Sequence, residues 1–263
     1  MTQDLLPTKT GTLYLVPTPL DFGCDAQTPI EDVLPQESLR VAARVAHWIT
    51  ENAKSTRAFL KRVDALVPLA QTIQSISMVE LPREVHKKGD HTAGFDAKPL
   101  LQMALSGHDV ALVSEAGMPA VADPGSSVVR AAHELGLRVV PLVGPVSLLL
   151  ALAASGLNGQ NFAFVGYLPQ NAAERSHRLR ELEAWALKTG QTQLFIETPY
   201  RNAALWQALV QGLQPSTRLA RASGLTLANM QVQCQTVQAW RKQSASAAHS
   251  AVLSAPTVFA IGK

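Results

Sequence analysis

Two cysteines in 263 residues, Cys24 and Cys234, give no paired metal-binding spacing. A disulfide between them is not expected, because nothing in the sequence points to secretion. The seven histidines form no HxxxH pair and no His/Cys cluster, so no metal is expected. Charge is scarce too: 16% of residues are Asp, Glu, Lys or Arg, against 47% hydrophobic. That balance argues against a disordered chain and leaves enough apolar side chains for sizeable cores. The length suits one large domain or two of moderate size. There is no Gly-Lys-Ser/Thr loop and no GxGxxG, which argues against phosphate cradling at the strand ends. No run is long enough for a membrane span. Residues 139–173 carry no charge, but Pro141, Gly144 and Pro145 break the run early and residues 155–159 end it. The helical piece, residues 147–154, falls well short of the roughly 20 residues a spanning helix needs, so a buried helix and no membrane partner are expected. The start, MTQDLLPTKTG, lacks a basic stretch followed by an apolar core, so no signal peptide is expected.

What is present is mildly basic. The net charge is +3, with a pI near 9.0. This is compatible with an anionic partner but too weak to specify nucleic acid. Along the chain, short apolar runs alternate with helical spacing. Strands are expected at residues 12–16, 47–50, 77–81, 110–114 and 139–143, with helices at 38–46, 54–65, 97–105 and 126–135 between them. The alternation continues with a helix at 147–154, a strand at 162–165, a polar helix at 173–187, a strand at 193–197 and a helix at 202–211. Further strands are expected at 218–222, 231–235 and 257–261. Strands alternating with helices of this length imply parallel βαβ units, and so many strands imply two α/β sheets. The expected seam is near Val143 to Val146, dividing the chain into residues 1–143 and 144–263. The segment QSASAAHSAVLS, residues 243–254, reads as loose surface chain.

Three strand ends share one chemistry: Val-Pro-Thr-Pro at residues 16–19, Ser-Glu-Ala-Gly-Met-Pro at 114–119 and Val-Gly-Pro-Val-Ser at 143–147. In parallel sheets ligands sit beyond the carboxyl ends of strands. Glycine there lets a ligand approach the backbone, and proline pre-shapes the loop. Loops of backbone and small apolar groups suit a neutral, adenosine-like ligand better than a triphosphate. Each loop taken alone is also an ordinary tight turn; the three together carry the signal.

In that setting "GTLYLVPTP", "VALVSEAGMPAVADPG", "GLRVVPLVGPVS", "AASGL", "FVGYLP", "ETPYRN" and the Leu-Thr at 225–226 resemble the tetrapyrrole methylase superfamily. Within it the chain is most similar to the branch of bacterial 16S rRNA ribose 2′-O-methyltransferases. The resemblance implies a cytoplasmic enzyme, a homodimer, built of two α/β domains with a cleft between them that holds S-adenosylmethionine. Carried over by motif, the cofactor would be bordered by Pro19, by Ser114, Ala116, Gly117, Met118 and Val121, by Val146 and Ser147, and by Glu197 and Leu225. The resemblance is weakest over residues 21–93. Where the branch usually carries Glu-Asp-Thr-Arg, this chain has Glu51-Asn52-Ala53-Lys54. Such elements are expected to position the acceptor, so the acceptor is expected to differ more than the cofactor does.

The implied activity is methyl transfer to RNA. The alternatives are a tetrapyrrole or other small-molecule acceptor, or a cofactor-binding protein that has lost catalysis. Methyl transfer from a sulfonium is mainly a matter of orienting two reactants, and a hydroxyl acceptor benefits from a base. Glu51, Glu115, Asp123 and Lys54 are candidates by position, although Asp123 also reads as the cap of the following helix. No single catalytic residue is assigned. The basic stretches Arg175 to Arg180 and Glu84 to His91 could meet RNA phosphates or be solvated faces. Thr198 to Arg201 could place an aromatic ring and a cation at the substrate or be a helix-entry turn.

Overall fold

The computed structural model describes residues 10–82, 84, 85, 90, 94–243 and 254–263. The described chain forms two compact units. The first runs to Gly23 and from Thr28 to Pro145; the second holds Cys24–Gln27 and begins again at Val146.

The first unit is built on five strands: β1 Thr12–Val16, β2 His47–Thr50, β3 Ser77–Glu80, β4 Val110–Val113 and β5 Arg138–Pro141. They form one sheet in the order β3-β2-β4-β1-β5, and every pairing is parallel. The central strand β4, VALV, is buried along its whole length. A strand covered on both faces has no polar side, so it reads as an unbroken apolar run. β5 lies at an edge, where Pro141 removes no hydrogen bond the sheet needs. Side chains still alternate between faces. Trp48, Ala111 and Val113 pack on one side with α1 (Gln36–Arg44) and α2 (Ala53–Asp64). Ile49, Val110 and Leu112 pack on the other. There they meet Leu101, the short helix α3 (Gln102–Leu105) and α4 (Ser126–Glu134).

The second unit has β6 Phe162–Tyr167, β7 Thr192–Glu197, β8 Arg218–Ser223, β9 Gln231–Thr236 and β10 Thr257–Gly262. Their order is β6-β7-β10-β8-β9. Only β6 and β7 pair in parallel; β10 runs antiparallel to β7 and β8, and β9 antiparallel to β8. This corrects the expectation of parallel units throughout. A crossover helix is needed only to bring the next strand back in the same direction. Here β8 and β9 are joined by a tight loop with Gly224 and Thr226 at positive φ, and β10 inserts between β7 and β8. One face of this sheet carries α6 (Ala172–Thr189), α7 (Asn202–Gly212) and α8 (Val237–Lys242), which enclose Phe195, Trp206, Trp240 and Phe259. Helix α5 (Ser147–Ser155) packs on β8 and β10.

The helix α8 carries no clear sequence signal, being six residues long. Thr236 starts it by accepting a hydrogen bond from Ala239 N, and Trp240 anchors it through Nε1 to Leu219 O at 2.8 Å. Helix α5 is buried on one side only: Leu148, Ala151 and Leu152 are buried, whereas Leu149 and Leu150 are exposed. Among the described residues no helix is long and apolar enough to cross a membrane. The loose segment expected at 243–254 falls almost wholly outside the described residues.

Candidate functional site

The loops that leave the carboxyl ends of β1 and β4 are joined to each other. Thr18 and Gly117 form a two-way backbone bridge, Thr18 N to Gly117 O at 3.0 Å and Gly117 N to Thr18 O at 3.1 Å. The buried Thr18 hydroxyl donates to Ser114 O at 3.3 Å. Gly117 sits at φ +77°, where a side chain is strained, and a Cβ there would meet Leu20 Cδ2 at 3.1 Å. Ala120 and Ala122 also hold positive φ, 64° and 65°. Strain of this kind persists only when the surroundings over-determine the backbone, and it clusters at ligand sites. The third Gly/Pro end packs closely as well: a Cβ at Gly144 would overlap Pro17 Cγ at 2.3 Å.

The β4 loop is fastened from behind by Asp90. Its carboxylate accepts from Gly125 N (2.7 Å), Ser126 Oγ (2.6 Å), Ser127 N (2.9 Å) and Ser127 Oγ (2.8 Å). Burial alone would raise the Asp90 pKa, but these hydrogen bonds outweigh it and hold the carboxyl below its ordinary value. Asp90 is therefore the cap of α4, which corrects the reading of Asp123 as that cap. The amides at a helix start take whichever acceptor reaches them, and here it comes from 35 residues upstream.

Asp123 is thereby free for another environment. Burial first, and then the charges of Glu51 and Glu115, push its pKa up to about 7. Glu51 follows β2 and donates its backbone N–H to Val113 O, while its side chain accepts from Glu115 N at 3.1 Å. Three of the four base candidates thus converge at the carboxyl edge of one sheet. The fourth, Lys54, is exposed in the first turn of α2, which Asn52 caps by accepting from Lys54 N at 2.9 Å. Among the described residues no group of His, Cys, Asp and Glu is placed to hold a metal ion.

Six of the motif-derived cofactor positions lie on these loops: Pro19 after β1, and Ser114, Ala116, Gly117, Met118 and Val121 after β4. Pro19, Ser114 and Gly117 are buried, Ala116 and Met118 half-buried, and Val121 exposed. Ser114 is the most informative of the set. Its side-chain oxygen is buried and has no hydrogen-bond partner, a cost that a ligand group would remove. The other four positions belong to the second unit. Val146 and Ser147 begin α5. Glu197 ends β7, and Leu225 follows β8 in the loop before β9. Glu197 and Ser223 both pair with Thr257 of β10, so the ends of β7 and β8 share one edge of their sheet. Glu197 Oε1 is engaged by Arg201 Nη2 at 2.7 Å and by Thr198 N at 2.7 Å. Thr198 to Arg201 is a 3-10 turn entering α7, and it leaves Tyr200 80% exposed.

A family model described as Tetrapyrrole (Corrin/Porphyrin) Methylases matches residues 34–239, well over half the chain. The chain belongs to the tetrapyrrole methylase family. Of the cofactor positions named above, Pro19 alone precedes the matched range. Ribosomal RNA small subunit methyltransferase I of Vibrio cholerae is 30% identical over 221 residues, covering 84% of this chain and 67% of that protein. The protein of the same name from Pseudomonas aeruginosa is 34% identical over 191 residues, covering 73% of this chain and 58% of its own length. The aligned part is therefore roughly three-fifths to two-thirds of these curated relatives. In fold, the chain is similar to uroporphyrin-III-C-methyltransferase from Thermus thermophilus, with a TM-score of 0.51 at 18% identity, over 96% of this chain and 94% of that one. It is similar to the methyltransferase CobJ with a TM-score of 0.52 at 14% identity, again over 96% and 94%.

The loop sequences were legible, but two residues that hold these loops together were not. Asp90 lies in a polar stretch with no periodicity, and Thr18 looked like one more turn residue. A threonine set between two prolines, Pro17 and Pro19, is the one local hint. Of the basic stretches, Arg175 is occupied at the start of α6, donating from Nη1 to Gln170 O at 2.9 Å. His177 and Arg178 pair with Glu181 along the same helix. Lys87 and Lys88 lie outside the described residues.

Proposed function

We propose that this chain is an S-adenosylmethionine-dependent methyltransferase acting on RNA. The observation that carries the reading is the β4 loop: a buried, unpartnered Ser114 hydroxyl beside backbone held open at Gly117. Such a loop fits an adenosine-like ligand, whose polar atoms are met by backbone and hydroxyl groups. S-adenosylmethionine, when bound, supplies an electrophilic methyl group on a sulfonium. The residues of the first unit do the rest. Pro19, Ala116, Gly117 and Met118 shape the pocket wall, and Ser114 offers its hydroxyl. Asp123, with a pKa of about 7, is suited to accept the proton of a hydroxyl acceptor near neutrality. Burial, and then the charges of Glu51 and Glu115, keep Asp123 basic by opposing its ionisation. Val146, Ser147, Glu197 and Leu225 are assigned to the same ligand on the family resemblance.

RNA is the acceptor favoured by the relatives, which carry the name Ribosomal RNA small subunit methyltransferase I. The resemblance further supports a homodimer in the cytoplasm; light scattering of the purified protein tests the dimer, and cell fractionation tests the location. The main experiment has two arms. Calorimetric titration with S-adenosylmethionine should show one site per chain, weakened in Ser114→Ala. Transfer of labelled methyl groups to small ribosomal subunits, and to total RNA, from cells lacking the protein should label RNA. Absence of donor binding overturns the methyltransferase reading. Donor binding without RNA labelling overturns the acceptor and turns the search to small molecules.

A further inference from the structure

The first sheet has a second edge, where its strands begin. There Tyr14, Arg44, His47, His108, Asp109 and Arg138 line a cavity of about 530 Å³. Because the sheet is parallel, the starts of β1, β2, β4 and β5 all come to this edge. Thr12 pairs with Arg138, and His47 with Val110. β1 is five residues long, so the two edges of the sheet are about 16 Å apart.

We propose that this cavity is a second ligand site, taking a small organic phosphate of nucleotide size. The argument is one of charge and partners. Arg44 donates Nη1 to Asp109 and Nη2 to the Tyr14 hydroxyl at 2.8 Å. Asp109 also accepts from Thr12 N at 3.0 Å. That pair is self-neutralising and stiffens the wall. Arg138 is exposed, and among the described residues its guanidinium makes no ion pair or hydrogen bond. The rings of His47 and His108 meet edge to face at 5.3 Å. The Nδ1 of His47 is shielded from solvent and has no partner. One guanidinium without an ion pair among the described residues, beside two imidazoles on the same wall, points to a missing anion. Arginine is the side chain best matched to phosphate oxygens. The volume falls in the range of pockets for small organic ligands, far above what a bare ion fills.

The site should respond to pH. Burial first, and then the neighbouring His108, lower the His47 pKa. Among the described residues, the charged or titratable groups that line the cavity with it are Tyr14, Arg44, His108, Asp109 and Arg138. An anion beside the His47 imidazole favours its protonated form, so binding takes up protons and strengthens as pH falls below neutrality.

The test is calorimetric titration of the full chain with 5′-UMP, inorganic phosphate, sulfate and a short RNA. 5′-UMP should bind, and Arg138→Ala, an exposed change, should weaken it about tenfold or more. Sulfate keeps its double charge across this range, so its affinity should rise severalfold from pH 8 to pH 6, and His47→Gln should flatten that rise. S-adenosylmethionine affinity should be the same in Arg138→Ala as in the wild type. This separates the proposal from the methyl-donor site at the opposite edge, and it stands whether or not that donor binds. No binding of 5′-UMP or phosphate at millimolar concentration overturns the proposal. So does binding that Arg138→Ala leaves unchanged, or binding of the RNA alone.

Discussion

At the carboxyl edge of the first sheet, Glu51, Glu115 and Asp123 gather over long loops held in strained backbone. At the amino edge of the same strands, Arg44, His47, His108 and Arg138 surround a cavity reached by short turns. One edge is acidic and fastened by many hydrogen bonds; the other is basic and keeps one guanidinium without a side-chain partner among the described residues. The strands are common to both, so the difference lies in the connections. Chain that leaves a parallel strand must travel to a covering helix and can spend residues on a shaped loop. Chain that enters a strand has only to turn in. The comparison teaches that a parallel sheet can present two unlike surfaces, and that the backbone at the carboxyl edge is the more tightly specified.

The strongest challenge to this contrast is Gly117→Val. The substitution strains a backbone at φ +77° and perturbs the bridge to Thr18. S-adenosylmethionine affinity should fall by more than about tenfold. Unchanged affinity in a calorimetric titration would falsify the placement of the donor at this edge.

On stability rather than binding, the largest effect is expected from Asp90→Ala, which leaves the amides of Gly125 and Ser127 without this acceptor. Loss of these charge-assisted hydrogen bonds should cost about 3 kcal/mol in a denaturant titration. The pH dependence has a definite sign. The folded pKa of Asp90 lies below its ordinary value, so its contribution is present above the ordinary value and is lost as pH falls through the folded one. The variant should lack that acid slope. A loss under about 1 kcal/mol would mean that the loop is held by other contacts.

Asp123→Asn should act in the opposite direction. A carboxyl raised to about 7 when folded contributes stability at acid pH that is lost as pH rises from its unfolded value through 7. The asparagine variant should therefore gain on the wild type across that window, by about 2 kcal/mol, and level off above it. Parallel melting curves at pH 5 and pH 8 measure this. A constant difference at both values would show that neither burial nor the charges of Glu51 and Glu115 raise the Asp123 carboxyl.

The smallest effect is expected at the amino edge. Arg44→Gln removes a half-exposed pair with Asp109, and such pairs contribute under about 1 kcal/mol. A loss several times larger on denaturation would erase the contrast between a tightly built edge and a loosely built one.

The sequence carried much of this arrangement. Expected strands and observed strands agree for β1 and β2, and differ by a residue or two for β3, β4 and β5. The helical piece at 147–154 is α5, one residue longer. Local apolar periodicity and glycine or proline stops act over a few residues, and they were enough. The three Gly/Pro strand ends were legible for the same reason, and with the family resemblance they supplied the candidate cofactor positions. Less was legible in the second unit, because an apolar run does not say in which direction its neighbour runs.

By itself, then, the sequence determined where most of the strands and helices lie, which loops are pre-shaped, and the family to which the chain belongs. Only the tertiary structure decided that Asp90 caps a helix 35 residues on, and that Glu51 meets the loop at Glu115 across 64 residues. It alone turned β8, β9 and β10 antiparallel. It alone brought Arg138 and His47 to one cavity. The physical reason is that these contacts join residues far apart in the chain, where the pairing of strands fixes the neighbours and no local pattern marks them.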